Sequence, residues 1–153
     1  VLAHSHDLRR GRCSIRGQPY HLRFSIRDRK PLLRELVPAR VLVRTLREMD
    51  TAGCTRTLAF MVMPDHVHWL CVLRARTRLD PVVHWVKGTS ARRIHLALGR
   101  SGPLWQSGYF DRAIRSDREL LPTARYIVAN PLRAGLVEHI GDWPFWDVAW
   151  ELD

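Results

Sequence analysis

Lysine is almost missing from this chain: of 25 basic side chains in 153 residues only Lys30 and Lys87 are lysines, leaving 23 arginines. Acidic residues are scarce too, at 15, so the formal net charge is +10. That balance makes a polyanion the default partner, with nucleic acid foremost. Arginine's planar fork meets a phosphate with two hydrogen bonds. A GC-rich genome would produce the same preference for arginine over lysine, but it would not produce the net charge. Cysteine is also rare. Cys13, Cys54 and Cys71 form no CxxC and leave an odd thiol whichever two are paired, which suits a reducing compartment better than a disulfide framework. No stretch of 18 apolar residues and no basic-then-apolar leader marks a membrane span or export, so a cytoplasmic, nucleoid-associated setting is expected. Internal repeats, low-complexity stretches and linkers are absent as well. The length suits one domain with a real core.

Charge is concentrated at one end. Val1 to Arg34 carries nine basic residues against two acids, Asp7 and Asp28. We read residues 1–17 as a basic arm that grips a nucleic-acid backbone, with Arg9, Arg10 and Arg12 as its contacts, and residues 18–153 as a single domain. The plainer reading of the first dozen residues is a solvated tail. His4 and His6, in that polar stretch, lack a strand to orient them and are read as incidental.

Periodicity orders the rest of the chain. Gln18 to Ile26 alternates as a first strand, and Pro38 to Ala52 is a helix with Leu42, Val43, Leu46 and Met49 on one face and Gly53 beyond its end. Two apolar runs between residues 55 and 73 are separated by Pro64-Asp65 and read as a hairpin. Asp80-Pro81 opens a second helix whose apolar positions keep helical spacing up to Gly99. A loop over residues 101–108 leads to a strand at Tyr109 to Arg115. A last helix ends at Asn130 against Pro131; Ser116 and Glu119 suggest a capping box for it, but Pro122 predicts that the regular helix begins only near that proline. The order β-α-β-β-α-β plus a helix is the split βαβ, ferredoxin-like α+β arrangement, with an antiparallel sheet, helices on one face and a C-terminal helix carrying Tyr126.

The chemistry-bearing residues sit on that frame. His66 and His68 open the second strand of the hairpin and, two apart, point the same way, while Val67 and Trp69 point the other. Two imidazoles can grip one divalent ion but need a third ligand from elsewhere. Tyr126 and Asn130 are four apart, one helical turn from each other on one face, and a helix docked on the histidine face would bring a hydroxyl and an amide oxygen to that ion. A divalent ion neutralises the anionic oxygens that protect a phosphodiester. A tyrosine can then attack phosphorus, and the phosphotyrosine remains an activated linkage, because a phenolate leaves more readily than an alkoxide. A DNA hydroxyl can reverse the step and rejoin strands without ATP.

Gly11-Arg12-Cys13-Ser14-Ile15, Val62-Met63-Pro64-Asp65-His66-Val67-His68-Trp69-Leu70, Lys87-Gly88-Thr89-Ser90-Ala91-Arg92, Gly102-Pro103-Leu104-Trp105-Gln106 and the run from Tyr126 to Val137, YIVANPLRAGLV, occur in that order. Together they resemble the REP-associated tyrosine transposases of the single-tyrosine HUH transposase superfamily, over nearly the whole chain. The resemblance implies a single-stranded DNA endonuclease and strand transferase acting on palindromes that fold as hairpins, through a 5′-phosphotyrosine intermediate. It implies Tyr126 as the nucleophile, His66 and His68 as ligands of Mg²⁺ or Mn²⁺, Asn130 as a further polar ligand, and a monomer rather than a dimer. Imidazole softness favours Mn²⁺, cellular abundance Mg²⁺. A cysteine-assisted zinc site is disfavoured, because Cys71 lies an odd number of residues from both histidines.

Further DNA contacts are read at Lys87, Arg92 and Arg93 on the second helix, at Gln106 in the following loop and at Arg133; for Lys87 and the two arginines a solvated helix face is the bland alternative. Trp105 and Gln106 suit either core packing or stacking on an unpaired base. Asp65 is read as a turn residue, Tyr20 and Tyr109 as core or strand residues, and Trp143, Trp146 and Trp150 as a lid on the core. The rival function is a domesticated hairpin-binding repressor that keeps the scaffold and does no chemistry.

Overall fold

The computed structural model describes residues 17–149; Arg9, Arg10, Arg12, Cys13 and Trp150 lie outside them. Five strands and four helices form the frame: β1 (Pro19–Ser25), α1 (Leu36–Thr51), β2 (Thr55–Val62), β3 (His66–Leu73), α2 (Leu79–Leu98), β4 (Phe110–Ala113), α3 (Asp117–Val128), α4 (Asn130–Arg133) and β5 (Trp146–Val148). The sheet order is β4-β1-β3-β2-β5, and every neighbouring pair is antiparallel. The first four strands and two helices make the expected ferredoxin-like unit.

Alternation along the strands divides the buried apolar residues into two layers. Tyr20, Leu22 and Phe24 of β1 join Val67, Trp69, Cys71 and Leu73 of β3 beneath α1 and α2. Ala59, Met61, Leu70 and Val72 face the other way, against Ala124 and Ile127 of α3. Helix α3 therefore covers the opposite face of the sheet from α1 and α2, which leaves His66 and His68 on the α3 side with Leu70. Trp69 anchors the first layer: it is fully buried and its indole N–H donates to Thr57 Oγ1 at 2.9 Å. Trp69→Ala should cost about 3–5 kcal/mol through the cavity it leaves. A denaturation midpoint unchanged within error would contradict this packing.

Three features differ from the sequence reading. Helix α3 begins at Asp117, not near Pro122: Ser116 caps it by accepting the Arg118 backbone N–H at 3.2 Å, and Pro122 sits inside. A proline there forfeits a single ladder bond, to the carbonyl of Arg118, and packing of Thr123, Ala124, Ile127 and Val128 against the sheet outweighs it. The helix also stops at Val128 and the chain turns into the separate turn α4, which Asn130 opens. Finally, Trp146–Val148 is a fifth strand on β2. Trp143 and Trp146 pack on the α3-side layer, and the Trp143 indole N–H donates to the Val62 carbonyl at 2.9 Å, so these two cover the core as expected.

Candidate active site

The hairpin of β2 and β3 delivers the histidines because its turn is pinned. The Met63 N–H donates to the His66 carbonyl, and the Pro64 and Asp65 carbonyls accept from Leu33 and Ile26. Nε2 of His66 and Nε2 of His68 then face each other at 3.2 Å. With metal–nitrogen bonds of about 2.1 Å, that spacing corresponds to an angle of roughly 100° at a shared ion, between octahedral and tetrahedral values. Burial lowers the pKa of both rings; for His66 the Asp65 carboxylate opposes the shift without cancelling it, and for His68, deeper and close to His21, His66, Arg23 and Arg133, the value falls to about 2. Both imidazoles are thus neutral at pH 7, the state in which they ligate metals. The donor set fits one divalent ion. It does not complete its coordination: among the described residues no group of three His, Cys, Asp or Glu side chains is placed to hold a metal.

Asp65 does more than shape the turn, which corrects the sequence reading. Its Oδ1 lies 2.7 Å from Nδ1 of His66, and its Oδ2 pairs with Arg29 Nε at 2.9 Å. A carboxylate on the far nitrogen of a metal-ligating imidazole fixes the tautomer with Nε2 as a lone pair.

Helix α3 brings the tyrosine. The Tyr126 ring centre is 6.4 Å from those of His68 and His21, and the residue is 52 % exposed. Arg133, seven residues further on at the end of α4, donates to the Tyr126 carbonyl at 2.7 Å and lays its guanidinium 3.9 Å from the ring centre. This cation–π contact holds the ring against the sheet. Asn130 donates through Nδ2 to the carbonyls of Ile127 (3.0 Å) and Tyr126 (3.3 Å), satisfying the end of α3 and turning its amide oxygen away from them.

His21 is the residue that sequence reasoning missed. It is 7 % exposed, its Nε2 lies 2.9 Å from Nδ1 of His68, and its ring meets Phe110 and Tyr126 edge-on. The polar alternation of His21, Arg23 and Ser25 in β1 was visible. The register that pairs Arg23 with His68 and Ser25 with His66 was not. Burial, then Arg23 and Arg112, lowers the His21 pKa from 6.5 to about 4. Because the folded His21 stays neutral where the unfolded one is protonated, unfolding takes up a proton between pH 6.5 and about 4. Stability should therefore fall as pH drops through that window, by on the order of 3 kcal/mol from this group. Denaturation midpoints that stay flat from pH 7 to pH 4 would contradict a neutral buried His21.

The groups around the site, expected and new, divide by layer. Phe110, 46 % exposed with Arg23 5.6 Å over its ring, and Arg112 lie on the Tyr126 side of the sheet. Gln106 is exposed beside them, its backbone N–H donating to Ser25. Lys87, Arg92 and Arg93 are on α2, across the sheet. Lys87 Nζ donates to the carbonyls of Gln106 and Gly108, tying down that loop, and Arg93 makes a two-pronged pair with Glu48 at 2.8 and 3.0 Å. Trp105 is core: it is 9 % exposed, packs edge-on to Phe24 and donates to Ser90 Oγ. Tyr20 is buried, the Tyr109 hydroxyl donates to Asp80, and Cys71 is buried in the opposite layer, away from the histidines.

No helix among the described residues is long and apolar enough to cross a membrane. The chain is 27 % identical over 99 residues to a candidate REP-associated tyrosine transposase of Haemophilus influenzae, covering 58 % of this chain and 56 % of that one. It is 29 % identical over 87 residues to the REP-associated tyrosine transposase of Escherichia coli, covering 57 % of this chain and 50 % of the relative. The chain thus spans about half the length of these curated relatives. Its fold matches a solved REP-associated tyrosine transposase bound to a REP hairpin with a TM-score of 0.74 at 23 % identity, covering 88 % of this chain and 79 % of that one. With residues 14–130 matching the family model described as "Transposase IS200 like", a span that takes in the histidine pair, Tyr126 and Asn130, the chain belongs to the IS200-like transposase family.

Proposed function

We propose that this chain is a metal-dependent single-stranded DNA endonuclease and strand transferase for hairpin-forming palindromes, with Tyr126 as its nucleophile. One observation carries the reading: the ring of an exposed tyrosine lies 6.4 Å from that of His68, whose Nε2 converges with that of His66 at 3.2 Å. His66 and His68 would hold Mg²⁺ or Mn²⁺, with the amide oxygen of Asn130 as a further ligand. When bound, the ion would neutralise phosphate charge and polarise the phosphorus.

The protein's own groups supply the rest. The Tyr126 oxygen attacks phosphorus, the bond from phosphorus to the 3′ oxygen breaks, the leaving 3′ oxygen takes a proton, and the phenol proton passes to solvent. The product is a 5′-phosphotyrosine and a free 3′-hydroxyl. Attack by a DNA hydroxyl reverses the bond changes and releases the tyrosine. Arg133 keeps the phenol ring in place throughout. Arg23, Arg112 and Gln106 flank the site on the open side, and Arg9, Arg10 and Arg12 are proposed to extend the grip along the backbone, as is Arg92 from the other layer. The solved relative is bound to a REP hairpin, which supports a hairpin as the substrate class here.

The test uses hairpin-bearing single-stranded DNA labelled at either end, with Mn²⁺ or Mg²⁺, and seeks an adduct that survives denaturation. An adduct carrying only the 3′-side label supports a 5′-phosphotyrosine. Tight binding with no adduct across hairpins from the gene's own flanks would favour a binding-only repressor. Salt dependence adds a second check: Arg23→Ala and Arg112→Ala should each reduce the slope of log affinity against log salt by about 1, the effect of losing one phosphate contact. Arg93→Ala, whose fork is occupied by Glu48, should leave the slope unchanged. Equal slopes for all three variants would remove the proposed DNA path from this face.

A further inference from the structure

His21 touches both halves of the site, and its bond to His68 bears on whether an ion can enter. Nδ1 of His66 faces the Asp65 carboxylate, which only accepts, so His66 carries its proton there and presents a lone pair at Nε2. His68 has no such carboxylate; its Nδ1 faces only His21 Nε2, at 2.9 Å, with one proton between them. If His21 donates that proton, His68 must carry its own on Nε2. That proton then points at His66 Nε2, 3.2 Å away, and occupies the position between the two nitrogens. If His68 donates, both Nε2 atoms present lone pairs to the same point, an arrangement that a cation relieves.

We infer that His21 is a positioning residue for the ion: by accepting the Nδ1–H of His68 it selects the tautomer in which His66 and His68 can ligate together. This rests on the histidine pair being the ion site. The switch needs no net gain or loss of protons within the pair: His68 moves its proton from Nε2 to Nδ1, and His21 moves its own from Nε2 to Nδ1, both by exchange with water. The edge contact between His21 and Tyr126 makes the same ring a wall for the nucleophile. Leu70, cross-strand from His21, is fully buried, and His21 itself is 7 % exposed.

The experiment is a Mn²⁺ titration, read by loss of the free-ion electron paramagnetic resonance signal, on the wild type, His21→Gln, His21→Leu and His66→Ala, each first shown to bind hairpin DNA in EDTA. His21→Leu, which cannot accept a hydrogen bond, should weaken Mn²⁺ binding about 10–100-fold, while His21→Gln, whose carbonyl oxygen can, should stay within about threefold of wild type. Wild-type affinity in His21→Leu, or equal losses in Leu and Gln, overturns the assignment. Wild-type affinity in His66→Ala would instead overturn the ion site itself. An independent readout uses the unaltered protein with ¹⁵N-labelled histidine and the diamagnetic ion Zn²⁺. His68 should then be protonated at Nδ1 and ion-bound at Nε2, and a loaded protein with His68 unprotonated at Nδ1 overturns the inference.

Discussion

Tyr126→Phe should abolish the covalent DNA adduct while leaving hairpin affinity and stability unchanged. Loss of a nucleophile in a covalent mechanism costs on the order of 10⁶-fold, so no adduct should be seen on any practical timescale. Because phenylalanine keeps the ring, the Arg133 stack at 3.9 Å and the edge contacts with His21 and His68 should survive. With the side chain half exposed, the stability change should stay within about 0.5 kcal/mol. The measurement is denaturing electrophoresis of the labelled reaction beside a binding titration of the same preparation. Persistence of the adduct would move the nucleophile elsewhere. Tyr20 is buried and the Tyr109 hydroxyl is engaged with Asp80, which makes neither a ready substitute.

Replacing either histidine should remove metal-dependent cleavage, but the two should differ in what else they cost. The His66 side chain is 12 % exposed at the rim and bonded to Asp65, which also pairs with Arg29. His66→Ala should therefore lose cleavage by about 10²-fold or more, as expected when charge stabilisation at the reacting phosphate goes, with little change in stability. His68 is 3 % exposed and partners His21. His68→Ala should lose cleavage similarly and also destabilise by about 1–3 kcal/mol, because it leaves a buried polar nitrogen without its partner. Paired measurements of Mn²⁺-supported cleavage rate and denaturation midpoint separate these effects. Undiminished cleavage in His66→Ala would sink the ion site, whereas equal stability losses in both variants would contradict the difference in depth.

Much of this architecture was legible in the chain, for reasons that can be named. Strand alternation is local, so the shared face of His66 and His68, the opposite face of Trp69 and Cys71, and the unsuitability of Cys71 as a ligand could all be read from spacing. Helices α1 and α2 were readable because their apolar stripes are long. The start of helix α3 is not legible in the chain, because the local penalty of Pro122 is offset only by packing of Thr123, Ala124, Ile127 and Val128. Strand β5 has three residues, too few for a period, and exists because β2 offers it an edge.

The sequence by itself determined the order of the first four strands and two helices, the alternation of faces along β1 and β3, the positive charge, and the residue types needed for tyrosine-based phosphoryl transfer. These follow from steric rules and charges that act within a few residues. Only the tertiary structure decided which residues meet across the chain. It set His21 against His68 from 47 positions away, stacked Arg133 on Tyr126, turned Asp65 toward His66, and spent Lys87 and Arg93 on structural partners. The physical reason is that strand register and helix docking are set by the packing of two buried layers at once, and no local pattern of residues contains that sum.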